Sequence, residues 1–333
     1  MPTFSGLSVV IVNWNSATFV RKCLSSLRKQ KSELPIEVIV IDNGSRDGCA
    51  EMVASEFPEV AFIQGEANLG FAKANNLAFE HSRGELLLFL NPDTEVSEFA
   101  IERMVSEMRR LPDAGVIGAR LLNSDSSVQT SCIHRFPTIG RIFLDSNFLR
   151  TLCPRWTVWG TRPLVDNPTG TAAVEAISGA CQMIRREVFQ RAGLYNTAYF
   201  MYAEDVDLCR KVLNLGLRNY YVGEAVVIHH GGQSSGSDHE NGRVAVMMRD
   251  SWKKYFELHR GPTYAMMFRL AVALQAICRL ALITPAWLLN HNGERGRRLS
   301  LAGKKWNRVL RWAIGLESWV GDVGVKAACV HPS

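Results

Sequence analysis

Short apolar runs alternate with amphipathic segments over roughly the first 120 residues. Residues 7–13, 36–41 and 86–90 are continuous apolar runs rich in branched aliphatic side chains, which is typical of strands buried on both faces. Between these runs, residues 16–30 and 72–81 carry apolar positions at helical spacing. The alternation predicts an α/β fold with a doubly wound, mostly parallel sheet.

The pattern changes near residue 115. Residues 116–122 predict a further strand, whereas residues 123–171 carry scattered prolines and glycines and are predicted to form a long loop that is functional or mobile. Order resumes after this loop, with predicted helices and strands at 175–184, 186–192, 204–215, 220–222 and 225–228.

Residues 264–289 are almost entirely apolar and predict one long helix. The residues that are not apolar are Arg269, Gln275, Arg279, Thr284 and Pro285. Arg269, Gln275 and Arg279 fall in a sector about 120° wide on a helical projection. Three placements remain open: an amphipathic helix in a membrane interface, a transmembrane span, or a helix packed on the domain. A span would place Arg279 near the bilayer centre, at a cost of about 2.5–3.5 kcal/mol.

Composition and charge narrow the class of protein. With 333 residues and 47% hydrophobic content, the chain can bury a large core. No secretory signal is expected, and eight cysteines without a Cys-x-x-Cys pair indicate reduced thiols in the cytosol and disfavour a zinc site. The net charge of +6 is accounted for by residues 290–312, which contain seven basic residues and one glutamate. This local charge disfavours a nucleic-acid reader and suits an anionic membrane surface.

Acidic residues follow two of the predicted strands. Asp42 ends one strand, and Asn91-Pro92-Asp93 ends another. In open α/β sheets, ligands bind at this carboxyl end. Asp42 is suited to a ribose hydroxyl or a base N–H, and Asp93 to Mg²⁺ or Mn²⁺ beside substrate phosphates. The alternative for each is a turn that only closes the strand.

Two further clusters lie later in the chain. Glu204 and Asp205 open a helix, where acids either stabilise the helix dipole or, for Asp205, serve as a general base. Asp207 has a structural partner in a basic residue three or four positions on. His229 ends a strand and either completes a metal site or is structural, with His230 as the second choice. The loop 231–235 offers backbone N–H groups to phosphate oxygens.

Together these stretches resemble the family 2 glycosyltransferases, which have the GT-A fold, and in particular their bacterial rhamnosyltransferase-like branch. The resemblance covers about residues 7–235. It rests on residues 8–15 (SVVIVNWN), 38–48 (VIVIDNGSRDG), 68–75 (NLGFAKAN), 88–93 (LFLNPD), 177–180 (ISGA), 202–208 (YAEDVDL) and 227–234 (VIHHGGQS).

The resemblance implies a role for each matching residue. Asp205 matches the catalytic base, and Glu204 lies beside it as an acceptor-binding or fallback residue. Asp93 and His229 match the metal-binding positions, with Mg²⁺ or Mn²⁺ as cofactor. Asn91 replaces the first carboxylate of the family's Asp-x-Asp motif. The implied donor-binding residues are Asn13, Asn15, Asp42, Asn68, Gly70, Asn75 and Asn91, and the implied acceptor side is formed by Ser178, Gly179 and Ala180.

The resemblance also implies an organisation and an activity. A nucleotide-sugar-binding half spans 1–120, and the sheet continues into an acceptor-binding and catalytic half over 121–245. Beyond the resemblance, the apolar and basic pattern predicts helical, basic, membrane-associating structure over residues 246–333. The expected enzyme is an inverting glycosyltransferase at the inner face of the cell membrane. We expect deoxythymidine-diphosphate rhamnose or a uridine-diphosphate sugar as donor, and a lipid-linked or growing glycan as acceptor. The alternative is a non-catalytic sugar-nucleotide or polysaccharide-binding protein.

Overall fold

A computed structural model describes residues 4–144, 147–231, 242–289 and 292–317. These residues fall into two compact units, one within 1–136, 145–197 and 204–234 and the other within 137–144, 198–203 and 235–333. The strands of the first unit are β1 Phe4–Asn13, β2 Ile36–Asp42, β3 Ala61–Gln64, β4 Gly84–Leu90, β5 Thr94–Val96, β6 Ala114–Leu122, β7 Ile133–His134, β8 Thr171–Val174, β9 Ala176–Ile177, β10 Cys181–Arg185 and β11 Arg218–His229.

The helices confirm the predicted alternation in the first 90 residues. In chain order the α-helices are α1 Ala17–Arg28, α2 Cys49–Glu56, α3 Phe71–His81, α4 Ala100–Arg110, α5 Ile139–Leu144, α6 Asn147–Leu152, α7 Arg162–Asp166, α8 Arg186–Arg191, α9 Glu204–Asn214, α10 Arg243–Arg260, α11 Pro262–Leu289 and α12 Gly293–Ala313. A 3₁₀ turn covers Thr130–Cys132.

The central sheet is mixed, and most of its parallel pairs lie at one end of the strand order. Its strand order is β3-β2-β1-β4-β10-β6-β11-β5, and β8 also pairs with β11. Strands β3, β2, β1 and β4 are parallel, so their carboxyl ends lie along one edge. The middles of β1 and β4 are inaccessible to solvent, with Val10 and Phe89 at 0% exposure. The prediction of strands buried on both faces is confirmed.

The sheet must curl strongly between β4 and β5. Only three residues join these strands, although β10, β6 and β11 lie between them in the strand order. Four Cα steps span at most about 14 Å, whereas four flat interstrand gaps would span roughly 19 Å. The curl lets the antiparallel pairing of β5 with β11 place His229 opposite Thr94, one residue after Asp93.

Several predictions about the middle of the chain need correction. The predicted loop 123–171 contains a short strand, a 3₁₀ turn and helices α6 and α7 in the first unit, and α5 in the second. The two strands predicted at 220–222 and 225–228 are one strand, β11, with a register shift between Val222 and Val226. Hydrophobic periodicity did not reveal the short elements within residues 123–171, because each is too short or too irregular for a repeat to emerge.

The second unit contains the predicted long helix as α11. The side chains of Arg269 and Gln275 are held within this unit: Arg269 donates from Nη2 to Trp312 O (3.0 Å), and Gln275 donates from Nε2 to Phe143 O (3.0 Å). Other positions of the helix carry exposed apolar side chains, with Leu270 at 64% and Leu282 at 70%. By length and composition α11 could cross a membrane, and 22% of its most apolar window is buried.

Candidate active site

The carboxyl edge of the parallel strands gathers the predicted donor residues of β1 and β2. Asn13 and Asp42 are register partners at the ends of these strands, and β4, which ends just before Asn91, pairs with β1 on its other side. The residues predicted to bind the donor therefore start from adjacent strands of one sheet edge. This adjacency follows directly from the parallel order of the strands.

Asp42 is buried, at 1% exposure, and its carboxylate already has three donors. It accepts hydrogen bonds from Asn13 Nδ2 (2.6 Å), Ser45 N (2.7 Å) and Gln64 Nε2 (2.9 Å). A carboxylate offers about four lone-pair positions. The turn-closing role is thus present, and the role in binding the nucleoside stays a prediction. Gln64, which sequence reasoning missed, belongs to this group of hydrogen-bonded side chains.

Asn15 joins the turn after β1 to the turn after β2. Its N–H donates to Ser45 Oγ (2.8 Å), and its Oδ1 accepts from Arg46 N (3.2 Å). It has a left-handed backbone conformation with φ of 50°, which asparagine tolerates better than most residues. Its side chain is exposed and therefore accessible to a nucleotide-sugar donor. The predicted contact with that donor stays a prediction.

Asn68, Gly70 and Asn75 organise the start of α3. Asn68 Oδ1 accepts from Gly70 N (2.9 Å), and Gly70 has a φ of 81°, where a side chain would be strained. Asn75 is buried at 1% exposure and donates to Phe71 O (2.9 Å) within its own helix. Each of the three thus has a local structural role, and their donor-binding roles stay predictions.

Asp93 and His229 face each other directly. Asp93 Oδ1 lies 3.3 Å from His229 Nε2, and Asp93 is 3% exposed. Asn91 Nδ2 lies 3.4 Å from the same imidazole nitrogen. The two predicted metal-binding residues and the predicted donor-binding Asn91 are therefore in one cluster, although 136 positions separate Asp93 from His229 in the chain.

Gln129 orients the His229 ring, and sequence reasoning missed it. Gln129 Nε2 donates to His229 O (2.6 Å), which leaves Gln129 Oε1 facing His229 Nδ1 at 2.9 Å. Because a carbonyl oxygen only accepts, Nδ1 must carry the hydrogen. The lone pair of the neutral ring is then on Nε2, the nitrogen that faces Asp93. No sequence signal marks Gln129, since it lies in the segment predicted as a loop.

The Asp93–His229 pair fits a divalent cation. A carboxylate oxygen and an imidazole lone pair are both acceptors, and at 3.3 Å they repel each other unless a cation or a proton lies between them. Divalent cations such as Mg²⁺ typically use one or two protein ligands together with substrate phosphates. Within the described ranges, no group of three or more His, Cys, Asp or Glu residues could hold a metal without such help.

His230 has both ring nitrogens in other contacts. Its Nε2 lies 2.8 Å from Glu95 Oε1, and its Nδ1 lies 2.7 Å from Ser124 Oγ. Its backbone N–H donates to Asp93 O (2.9 Å), which ties β11 to the turn after β4. The arrangement favours a structural role for His230 and leaves His229 as the candidate ligand. The predicted loop beyond Gly231 lies outside the described residues.

Asp205 is held against the turn formed by Ser178, Gly179 and Ala180. Its Oδ2 accepts from Gly179 N (2.7 Å), and its Oδ1 accepts from Val206 N (2.8 Å). A Cβ at Gly179 would lie 3.3 Å from Asp205 Oδ2, which is a tight approach. Gly179 thus allows the turn and the carboxylate to pack closely. The half-buried Asp205 keeps lone pairs for a proton.

Glu204 is buried beside Asp205 and is chemically different from it. Glu204 is 5% exposed, and its Oε2 has no hydrogen-bond partner among the described residues. Burial, and then the negative charge of Asp205, raise the pKa of Glu204 well above its usual value. Glu204 therefore keeps its proton to a higher pH than an ordinary glutamate does. Asp207 pairs with Lys211 (3.0 Å), as the sequence predicted.

A continuous path of contacts joins the predicted catalytic residue to the predicted metal ligands. Asp205 accepts from Gly179, and the next residue, Ala180, accepts from Asn91 N (3.0 Å). Asn91 in turn contacts His229, which faces Asp93. The acceptor-side turn lies beside Asn91 because β10, which follows it, pairs antiparallel with β4. The site residues of the resemblance thus converge at one edge of the sheet.

Comparison with known proteins identifies the family of the chain. The model of the family described as "Glycosyl transferase family 2" matches residues 8–193. The N-acetylglucosaminyl-diphospho-decaprenol L-rhamnosyltransferase of Mycobacterium tuberculosis is 30% identical over 246 residues, covering 70% of this chain and 78% of the relative. Rhamnosyltransferase WbbL of Escherichia coli is 22% identical over 272 residues, covering 78% of this chain and 92% of the relative.

Solved structures show the same fold. The mannosyltransferase PcManGT of Pyrobaculum calidifontis, solved with GDP-Man and Mn²⁺, aligns with a TM-score of 0.55 at 18% identity, over 99% of this chain and 89% of its own. GalNAc-T7, solved with UDP, GalNAc and Mn²⁺, aligns with a TM-score of 0.52 at 16% identity, over 68% of this chain and 44% of its own. The protein has the GT-A fold and belongs to glycosyltransferase family 2, in its rhamnosyltransferase-like branch.

Proposed function

We propose that this glycosyltransferase moves rhamnose from a nucleoside-diphosphate donor to a hydroxyl of a lipid-linked or growing cell-surface glycan, with inversion at the anomeric carbon. The observation that carries the proposal is the contact path from Asp205, through Gly179 and Ala180, to Asn91 and the Asp93–His229 pair. It supports a base and a diphosphate site lying at one sheet edge.

The proposed chemistry is a single displacement. Asp205 accepts the proton of the acceptor hydroxyl while that oxygen attacks the anomeric carbon, and the nucleoside diphosphate leaves from the opposite face. Gly179 N and Val206 N hold the two carboxylate oxygens of Asp205, so the base is oriented before the acceptor binds. Glu204, whose pKa is raised by burial, keeps its own proton to a higher pH than an ordinary glutamate and is not the proposed base.

Asp93 and His229 would hold a divalent cation, Mg²⁺ or Mn²⁺. Such an ion neutralises the charge that develops on the leaving diphosphate. Asn91, as an amide, adds no negative charge to the site, and its Nδ2 is available to donate a hydrogen bond to a phosphate oxygen. Gln129 keeps the Nε2 lone pair of His229 aimed at the same place.

The choice of rhamnose and of a lipid-linked acceptor is supported by the relatives. Two of them are named as rhamnosyltransferases, and one of these names a diphospho-decaprenol acceptor. The donor is then a deoxythymidine-diphosphate rhamnose, with uridine-diphosphate sugars as second choice. Asn13, Asp42 and Asn15 are the proposed nucleoside-binding residues, since they lie at the carboxyl edge of β1 and β2 or in the turn that follows.

A lipid-linked acceptor requires the enzyme to reach a membrane. The exposed apolar side chains of α11 support peripheral association with an anionic bilayer, since an amphipathic helix can lie in the interface with its polar side held by protein. The neighbouring helix α12 carries seven basic residues against Glu294, which adds electrostatic attraction to anionic lipid. We place the enzyme at the cytoplasmic face of the cell membrane.

Replacing the base tests the proposal. Asp205→Asn should lower kcat by about 10²–10⁴-fold, the usual contribution of a positioned general base, while donor binding changes little. Asp207→Asn is the matched control, since Asp207 pairs with Lys211 and has no proposed role in transfer. Transfer is followed with the nucleotide sugar and a lipid-linked acceptor, and donor affinity by calorimetry. An Asp205→Asn enzyme that keeps its turnover, or loses only donor affinity, would refute the proposed base.

A further inference from the structure

A group of three cations that have no acidic partner among the described residues lies in the second unit, outside the active site. Arg249 on α10 and Arg279 on α11 both lie over the indole ring of Trp306 on α12, with guanidinium carbons 5.1 and 5.7 Å from its centroid. Lys305 is the residue before Trp306. We refer to Arg249, Arg279, Lys305 and Trp306 as the cationic cluster.

The described residues supply no counter-charge to the cluster. No carboxylate within the described part of the chain forms an ion pair with Arg249, Arg279 or Lys305. The nearest acid in sequence, Asp250, instead pairs with Lys254 (3.0 Å) and accepts from Trp312 Nε1 (3.2 Å). Cations that are partly removed from water without a counter-charge are costly.

Arg249 carries most of this cost. Its Nη1 donates to Ala245 O (2.9 Å), but its Nε is buried with no hydrogen-bond partner among the described residues. Burial lowers the pKa of Arg249 to about 10. Burial, followed by the charges of Arg249 and Arg279, also lowers the pKa of Lys305. A bound anion would supply the missing acceptors and relieve the repulsion among the three side chains.

The chemistry of the cluster selects a phosphate. Guanidinium groups bind phosphate oxygens in a fork geometry, and a lysine adds a point charge. The surroundings select a phosphate attached to a lipid, since Leu282, three positions after Arg279 on the same helix, is 70% exposed. An ordinary soluble phosphate would make no use of this exposed apolar side chain.

We propose that the cationic cluster is a binding site for the phosphate group of a lipid, formed by Arg249, Arg279 and Lys305 around Trp306. The phosphate is that of a bilayer headgroup or the diphosphate of a lipid carrier, which offer the same oxygens. The inference rests on the proposed membrane association and is independent of the transfer chemistry. It adds a specific site to an otherwise general electrostatic attraction.

The test measures the melting temperature of the full chain with short-chain soluble lipids. Dihexanoyl phosphatidic acid, dihexanoyl phosphatidylglycerol and a short-chain prenyl diphosphate are compared with dihexanoyl phosphatidylcholine as the zwitterionic control. A ligand that binds only the native state raises the melting temperature. A shift with the prenyl diphosphate alone identifies a carrier lipid, and a shift with the other anionic lipids identifies a headgroup.

Two variants separate a built site from general charge. Arg279→Gln removes an exposed member of the cluster and should weaken binding of the effective lipid about tenfold or more, without a lower melting temperature in the ligand-free protein. Arg297→Gln removes an equally exposed charge of α12 outside the cluster and should change binding only slightly. Equal losses in the two variants, or no shift with any anionic lipid, overturn the site.

The outcome is distinguishable from a failure of the proposed function. Hydrolysis or transfer of the donor sugar to a soluble acceptor does not depend on the cationic cluster, so Arg279→Gln should keep that activity. If the Arg279→Gln enzyme loses the activity together with the lipid response, the cluster has a structural role and the proposed site is refuted. If wild type binds the lipid but transfers no sugar, only the proposed transfer reaction fails.

Discussion

Removal of the Gln129 side-chain amide should change the tautomer of His229 while leaving both proposed metal ligands, Asp93 and His229, in the sequence. Gln129→Leu keeps most of the side-chain volume but removes the contacts to His229 O (2.6 Å) and Nδ1 (2.9 Å). The imidazole hydrogen is then free to move to Nε2, where the carboxylate of Asp93 lies 3.3 Å away and accepts it. In that tautomer Nε2 has no lone pair for a cation.

The magnitude follows from the position of Gln129 behind a proposed ligand. Loss of a residue that orients a metal-binding histidine typically costs 10–100-fold in metal affinity, or about 1.4–2.7 kcal/mol at the usual conversion of 1.4 kcal/mol per tenfold. Loss of the hydrogen bond to the His229 carbonyl should also lower the free energy of unfolding by about 1–3 kcal/mol, since that acceptor is left without its donor.

Two assays separate orientation from activity. Two-dimensional ¹H–¹⁵N NMR of histidine-labelled, metal-free protein distinguishes the two neutral tautomers, and His229→Ala identifies the signal. Electron paramagnetic resonance of free Mn²⁺, with nucleoside diphosphate present, gives the metal affinity. Ser124→Ala is the matched control, because Ser124 contacts Nδ1 of the neighbouring His230 (2.7 Å) instead. A wild-type ring with hydrogen on Nε2, or an unchanged ring in Gln129→Leu, would refute the orienting role.

Three further predictions concern the same unit and one exposed thiol. The pKa of Glu204 is raised in the folded protein, so folding binds a proton at this carboxyl. The contribution of Glu204 to the free energy of unfolding should therefore fall as pH rises above its unfolded-state pKa of about 4.3. Glu204→Gln should flatten this dependence in urea unfolding between pH 5 and 8 while keeping transfer activity. Gly179→Ala should displace Asp205 by a few tenths of an ångström and lower kcat more than KM in initial-rate assays. Cys278 is exposed, whereas burial raises the pKa of Cys23 to about 12, so a thiol reagent at pH 8 should label Cys278 before Cys23, as followed by peptide mass analysis. Equal labelling of the two would contradict the buried position of Cys23.

The local pattern of the chain was sufficient to predict the first half of the sheet. Residues 36–41 and 86–90 are apolar at every or nearly every position, and such runs form central parallel strands because both faces must be covered. Parallel order then places their carboxyl ends on one edge, so Asp42 and Asn91 were predictable as neighbours of one site. The helix of residues 264–289 was equally clear, since 26 mostly apolar residues have few other solutions.

Other parts had no local signal. Helix α4 and strand β5 were not predicted, and helices α6 and α7 lie in a segment that was predicted as a loop. Strand β10 runs antiparallel between β4 and β6, an arrangement that no periodicity reveals because pairing partners are far apart in sequence. That placement brings Gly179 and Ala180 to Asn91, and with them Asp205. The resemblance supplied these roles, but the contacts behind them are tertiary.

By itself the sequence determined which side chains could do chemistry: two carboxylates at strand ends, one at a helix start and a histidine at the end of another strand. Strand ends and helix starts are local features, because side-chain spacing decides them. The tertiary structure alone decided that Asp93 meets His229, that Gln129 holds the ring from 100 residues away, and that burial raises the pKa of Glu204. Those outcomes depend on the curl of the sheet and on burial, which exist only after distant segments have packed together.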